Sequence, residues 1–130
     1  MNTTVEKIQS FAQLQSGWSF GEGIGFLQNI LNKAIQLAKT AHTLGFHQTD
    51  AFPGLSGEIM LTVYQGCEYW EFTLQPAEMI TFVYEKSDRT VVYQEGLPFE
   101  FAISLLTNIA FQNHLYLCMP QEAATDPVLA

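Results

Sequence analysis

The sequence predicts a single α+β domain: a four-stranded antiparallel β-meander packed on one face against helices from both ends of the chain. Three observations carry that expectation. Apolar residues recur at helical spacing across residues 24–44, and the pattern switches to strict alternation from Glu58 onward. The connections between the alternating segments are short. Counted through those connections, the large apolar residues of every segment fall on one face.

The first element is a short amphipathic helix over residues 4–15, where Val5, Ile8, Phe11 and Leu14 are spaced three apart. Ser16 and Gly17 end it. A glycine-rich loop follows, Trp18-Ser19-Phe20-Gly21-Glu22-Gly23, in which two large aromatics can anchor an otherwise permissive backbone. Ser19 and Glu22 have the spacing of a capping box for the next helix. That helix is the strongest periodic signal, with Leu27, Ile30, Leu31, Ala34, Leu37, Ala38, Ala41 and Leu44 on one side and Gly45 as a C-terminal stop. Its alanines suit close packing on a sheet.

Residues 46–57, with Asp50, Pro53, Gly54 and Gly57, read as a loop. The hairpin beyond it turns at Gln65-Gly66, which sets Leu61 against Trp70 and Ile59 against Phe72. The turn around Pro76 leads to a third strand, Met79 to Glu85, with Ile80, Phe82 and Tyr84 inward. A four-residue loop, 86–89, leads to a fourth strand, Thr90 to Gln94, with Val91 and Tyr93 inward. Gly96-Leu97-Pro98 breaks the sheet. Phe99, Ala102, Ile103, Leu106 and Ile109 mark a second helix over 98–110, with Pro98 tolerated at its start. A short final strand, His114 to Met119, and a frayed tail over 121–130 complete the domain, whose body is expected at 18–119. Core candidates are Leu27, Leu31, Ala34, Leu37, Ile59, Leu61, Trp70, Phe72, Ile80, Phe82, Ile103 and Leu106.

Composition narrows the function. With 48% hydrophobic and 13% aromatic residues, 130 residues bury a core without metals or disulfides. The net charge of −8 comes with only five basic residues, Lys7, Lys33, Lys39, Lys86 and Arg89, and these are scattered. Direct nucleic-acid binding, which needs clustered cations to displace counterions, is not expected. The acidity serves solubility or steers a basic partner. Cys67 and Cys118 make no disulfide framework and suit free thiols in a reducing cytoplasm. The first residues lack a basic segment followed by an apolar run, and no apolar run approaches the roughly 20 residues that span a bilayer. A cytoplasmic protein without a membrane partner is the expectation.

No residue pattern declares a catalyst. His42, His47 and His114 lack zinc-ligand spacing with each other or with cysteine. Cys67 stands beside Glu68 with no cation to stabilise a thiolate. Gly21-Glu22-Gly23-Ile24-Gly25 follows no strand and lacks the spacing of a phosphate-binding loop. No cofactor, metal or catalytic residue is therefore assigned. Glu58, Glu71 and Glu85 share the non-core sheet face, where carboxylates are usually solvated. That face also carries Met60, Tyr64, Tyr69, Met79, Val83 and Val92, and is more apolar than a solvated sheet needs to be.

The run Trp18-Ser19-Phe20-Gly21, the Ala/Leu helix and the turn Pro53-Gly54-Leu55-Ser56-Gly57-Glu58-Ile59 resemble a loose group of small bacterial proteins. Those show a Trp-x-Tyr/Phe-Gly element, a helix, and a Pro-x-x-x-Gly-Glu/Gly-Ile turn before a sheet. The resemblance covers residues 18–94 and implies the order helix, turn, meander. The group has no assigned reaction, so it implies no site residue.

These features leave two functional expectations. One is a non-catalytic protein-interaction or regulatory module, binding another protein or a second copy of itself through a face of Met60, Tyr64, Tyr69, Glu71, Val83 and Val92. The other is a ligand-binding protein or enzyme with a cleft between the Trp18–Gly23 loop and the Phe52–Gly57 turn, lined by Trp18, Phe20 and Phe52. A concave pocket with converging polar groups would distinguish the second from the first.

Overall fold

Asn2 starts the first helix by accepting a hydrogen bond from the Val5 N–H at 3.1 Å, satisfying one of the donors that a helix start leaves open. The computed structural model describes residues 2–117, with side chains through 112. Helix α1 spans Thr3–Ser10 and tightens into a 3-10 turn at Phe11–Gln13. Val5, Ile8 and Phe11 are buried together, as their spacing predicts. The core therefore begins well before residue 18.

Ser19 and Glu22 do not cap the next helix. They exchange both backbone hydrogen bonds, at 2.8 and 2.9 Å, in a miniature hairpin. Its turn residues Phe20 and Gly21 both have positive φ, 53° and 89°, as a type I′ turn requires. Phe20 is fully exposed at the tip. An intervening stretch, tied down by Ile24 N–H donating to the Leu55 carbonyl, delays helix α2 to Gln28–Thr43. Leu27 becomes its N-cap and is 54% exposed, so it does not join the core. Ile30, Leu31, Ala34, Leu37, Ala38 and Ala41 are buried. Gly45, at φ 99°, follows the helix end and donates to the His42 carbonyl.

The sheet has five strands, not four. Strand β1, Gln48–Pro53, occupies part of the segment expected to be a loop and pairs antiparallel with β2, Ile59–Gln65. As an edge strand it buries only Ala51 completely, so its hydrophobic pattern is faint, and Pro53 sits at its end. α1 secures it: the Thr4 and Thr49 hydroxyls lie 2.7 Å apart, and Lys7 Nζ donates to Asp50 at 2.7 Å.

β3, Glu68–Leu74, β4, Met79–Lys86, and β5, Arg89–Pro98, complete an antiparallel meander in the order β1-β2-β3-β4-β5. The first hairpin turns at Gly66-Cys67, one residue later than expected, because Gly66 at φ 62° suits the first turn position better than Gln65 does. Leu61 consequently faces Phe72, Ile59 faces Leu74 and Val63 faces Trp70. The slip is by two residues in partner, so the faces are unchanged. The turn around Pro76 places Glu78 at φ 67° and sets Phe72 opposite Phe82 and Trp70 opposite Tyr84, which leaves Ile80, Phe82 and Tyr84 on the face that parity gives them.

β5 departs from expectation. Glu85 pairs with Thr90, but Tyr84 pairs with Val92, which leaves Val91 as the extra residue of a β-bulge. The bulge reverses the face of the residues beyond it. Val92 packs against the core, while Val91 and Tyr93 are 57% and 59% exposed. A second irregularity near Gly96, at φ 72°, lets the strand run on through Gly96-Leu97-Pro98 instead of ending there. Helix α3, Phe99–Leu117, then buries Phe99, Ala102 and Leu106, with Ile103 partly buried. It continues through His114–Leu117, where a strand was expected; Cys118, Met119 and the 121–130 tail lie outside the described residues. No described helix is long and apolar enough to cross a membrane.

One cluster joins the buried side chains of all three helices to Ala51, Ile59, Leu61, Val63, Trp70, Phe72, Leu74, Ile80 and Phe82. These are the inward positions of four strands. The opposite face of the sheet contributes none of its side chains to that cluster.

Candidate outer-face docking site

The cross-strand register builds the outer face row by row. One row runs Gln48, Tyr64, Tyr69, Glu85 and Thr90; the next runs Asp50, Thr62, Glu71, Val83 and Tyr93. A third begins Phe52, Met60, Thr73 and Thr81. Directly opposed side chains on such a face have Cβ atoms about 5 Å apart, so each row is a line of mutual contacts. Of the residues expected here, Met60, Tyr64, Tyr69, Glu71 and Val83 are brought together. Val92 is not: the bulge at Val91 turns it inward. Tyr93, which simple alternation assigns to the core, stands on this face in its place.

The centre of this face is drier than its edges. Thr62 and Thr73 are buried, and Val83 is only 9% exposed although it lies outside the core cluster. Tyr64 and Tyr69 form a tilted aromatic pair with centroids 5.1 Å apart. Tyr69 Oη donates to Glu71 Oε1 at 2.6 Å, and Tyr93 Oη donates to Glu95 Oε2 at 2.7 Å. Partial burial, then the hydrogen bond to Glu71 and the surrounding negative charge, push the Tyr69 hydroxyl well above the ordinary phenol range. Tyr93 moves in the same direction, chiefly through its bond to Glu95. Both phenols are held as neutral donors.

Glu58 does not join the group. Its Oε1 accepts from the Ser56 N–H at 2.9 Å, and its carboxylate folds onto the turn before β2. Glu71 and Glu85 flank Tyr69 along and across the strands. At the turn end of the face, Tyr64, Tyr69, Glu71, Glu85 and Asp88 line an open hollow of about 410 Å³, with Cys67 exposed on its rim. Comparison of the chain with protein-family models, with curated proteins and with solved structures returned no match. The reading of this site therefore rests on its geometry.

The cleft expected between the Trp18–Gly23 loop and the Phe52–Gly57 turn is not among the hollows seen in the described residues. The loop after Trp18 does meet the turn after Phe52, through Ile24 and Leu55. Its three marker residues, however, have separate tasks. Trp18 Nε1 donates to the Ile24 carbonyl at 2.9 Å and packs on Phe26, which locks the loop. Phe20 stands at the hairpin tip. Phe52 sits under the Lys7 ammonium, 4.5 Å from the ring centroid. None of the three lines the hollows beside α2, β2–β4 or α3. His42 and His47 are exposed near the end of α2 and before β1.

On the core side, Tyr84 stacks on Trp70 with centroids 5.7 Å apart and donates to Glu68 Oε2 at 2.5 Å. Burial and the bond to Glu68 push its pKa up to about 12. Between β1 and α1, burial raises the Asp50 carboxyl, but the hydrogen bonds from Lys7 and the Ala51 N–H, with the Lys7 charge, outweigh it and hold the group below its usual range.

Proposed function

We propose that this protein is a cytoplasmic, non-catalytic interaction or regulatory module that docks another protein on the outer face of its sheet. The observation that carries this reading is the face itself, dry at Thr62, Thr73 and Val83, rimmed by tyrosines, and left outside the cluster that the helices help to build. Sheet faces that stay solvated are usually polar at their centre. Tyrosines suit interfaces because each combines a large apolar ring with a hydrogen-bonding hydroxyl.

A second copy of the chain is the weaker occupant. A two-fold contact on this face would bring Glu71 and Glu85 of both copies together, and like charges in a drying interface repel. The partner is therefore expected to be a different protein.

The test uses a bulky, uncharged block at the centre of the face. Affinity capture from the source cell with the wild type, Thr81→Trp and the α2-surface control Lys39→Gln should recover a protein bound by the first and third baits and lost on the second. Sedimentation of the purified chain should give a monomer. A partner retained by Thr81→Trp would contradict the docking reading, as would a stable dimer broken by the same substitution contradict the choice of a different protein.

A further inference from the structure

Resting on that docking reading, we infer that the occupant of the outer face is a cationic protein segment, with an arginine or lysine side chain seated between the Tyr64–Tyr69 pair and the carboxylates of Glu71 and Glu85. The register sets Tyr69 beside Tyr64 on one side and Glu85 on the other, with Glu71 next along its own strand. Two aromatic faces and two carboxylates thus meet at one open hollow. A guanidinium or ammonium group is the ligand that both features attract, through the ring quadrupole and through charge-assisted hydrogen bonds.

Among the described residues, no ion pair answers these charges: the pairs are Lys7–Asp50 and Lys33–Glu78, and neither involves Glu71 or Glu85. Tyr69 gives Glu71 one hydrogen bond, and a carboxylate accepts several. The chain's net charge of −8 adds long-range attraction for a basic partner and repels a phosphate backbone. Arginine is a frequent anchor at protein interfaces, and its planar head packs on tyrosine rings.

Nuclear magnetic resonance titration tests this with a blocked peptide of alternating arginine and serine. The chains compared are the wild type, E71Q/E85Q and the remote control E6Q/E22Q, which removes the same charge from exposed positions on α1 and the Trp18 loop. At about 0.1 M salt, where the Debye length is about 10 Å, saturable shifts are expected in amides of 64–71 and 83–88. E71Q/E85Q should weaken binding about tenfold, while E6Q/E22Q leaves it nearly unchanged. Tyr64→Leu, which keeps an apolar group and removes the ring, should weaken it in a background of intact carboxylates.

Equal weakening by the two charge doubles would overturn the inference, since net charge alone would then explain binding. So would peptide shifts spread over the whole surface. The free-state spectrum of each variant reports its fold, and Tyr64→Leu supplies an independent arm if a glutamine variant unfolds. If these arms fail while Thr81→Trp still abolishes capture, the cationic assignment falls and the docking face stands. If both fail, the docking reading falls too.

Discussion

Tyr84 shows how much a single side chain can report about this fold. Its hydroxyl ordinarily titrates near pH 10.0 and is raised to about 12 in the native state by burial and by Glu68. A group whose folded pKa is raised stabilises the fold below its unfolded pKa, and that contribution fades as pH rises through the folded value. Stability should therefore fall between pH 10 and about 12, and Tyr84→Phe should flatten that fall in alkaline denaturant titrations. Asp50 works in the opposite sense. Its carboxyl is depressed from 3.8, so its contribution is present above that value and is lost in more acidic solution as the group protonates. Lys7→Met should weaken this acid-side dependence by lowering stability at neutral pH and not in acid, and by a small amount because the pair is partly exposed. Gly23 is a third diagnostic residue. At φ 95° and with Trp18 Nε1 only 2.6 Å from where a Cβ would lie, Gly23→Ala should cost about 1–3 kcal/mol and red-shift tryptophan emission as Trp18 is displaced.

At the scale of elements, the bulge in β5 is the feature that sequence parity could not reach. Counting residues through the loop at 86–89 gives the correct pairing of Glu85 with Thr90, and one inserted residue then reverses the faces of residues 92–94, until the second irregularity restores them at Leu97. Val91 and Val92 are chemically identical, so nothing in their identities marks which one is extra. The contrast is measurable: Val92→Lys should cost about 1–3 kcal/mol, whereas Val91→Lys should stay within about 0.5 kcal/mol of the wild type. Equal costs in urea titrations would contradict the bulge. Where burial on one face was strong, the sequence was legible. Phe72 and Phe82 both face the core, as predicted, with centroids 5.2 Å apart, and Phe72→Ala should cost about 3–5 kcal/mol. β1 was illegible for the converse reason, since an edge strand held by hydroxyl and lysine contacts needs little hydrophobic patterning. The same applies to Leu27, whose helical spacing was right but whose backbone lies at the N-cap, outside the helix that would have carried it inward.

The whole molecule keeps its core to one sheet face. That face receives three helices and the buried core cluster they share with it. α2 is further tied to the β3–β4 turn by Lys33 and Asn29, which both donate to Glu78. The other face carries five of the six residues that alternation assigns to it, Val92 being the exception, because a period of two assigns faces reliably until a bulge intervenes. Tyr93 was missed for that reason alone. What alternation could not supply was the row-by-row grouping of Tyr64 and Tyr69 with Glu71 and Glu85, which depends on partner strands as well as on parity.

Thiol labelling at Thr81, which adjoins the dry centre of the outer face through Thr73, is the sharpest test of docking there. In a chain with Cys67 and Cys118 replaced by serine, Thr81→Cys reports the face and Lys39→Cys reports the exposed side of α2. Both thiols should react readily in the purified protein, and in the living cell Thr81→Cys should be protected while Lys39→Cys is not. Slow labelling of Thr81→Cys in the purified chain would mean that the chain covers its own face, and equal labelling of both thiols in the cell would mean that nothing docks there.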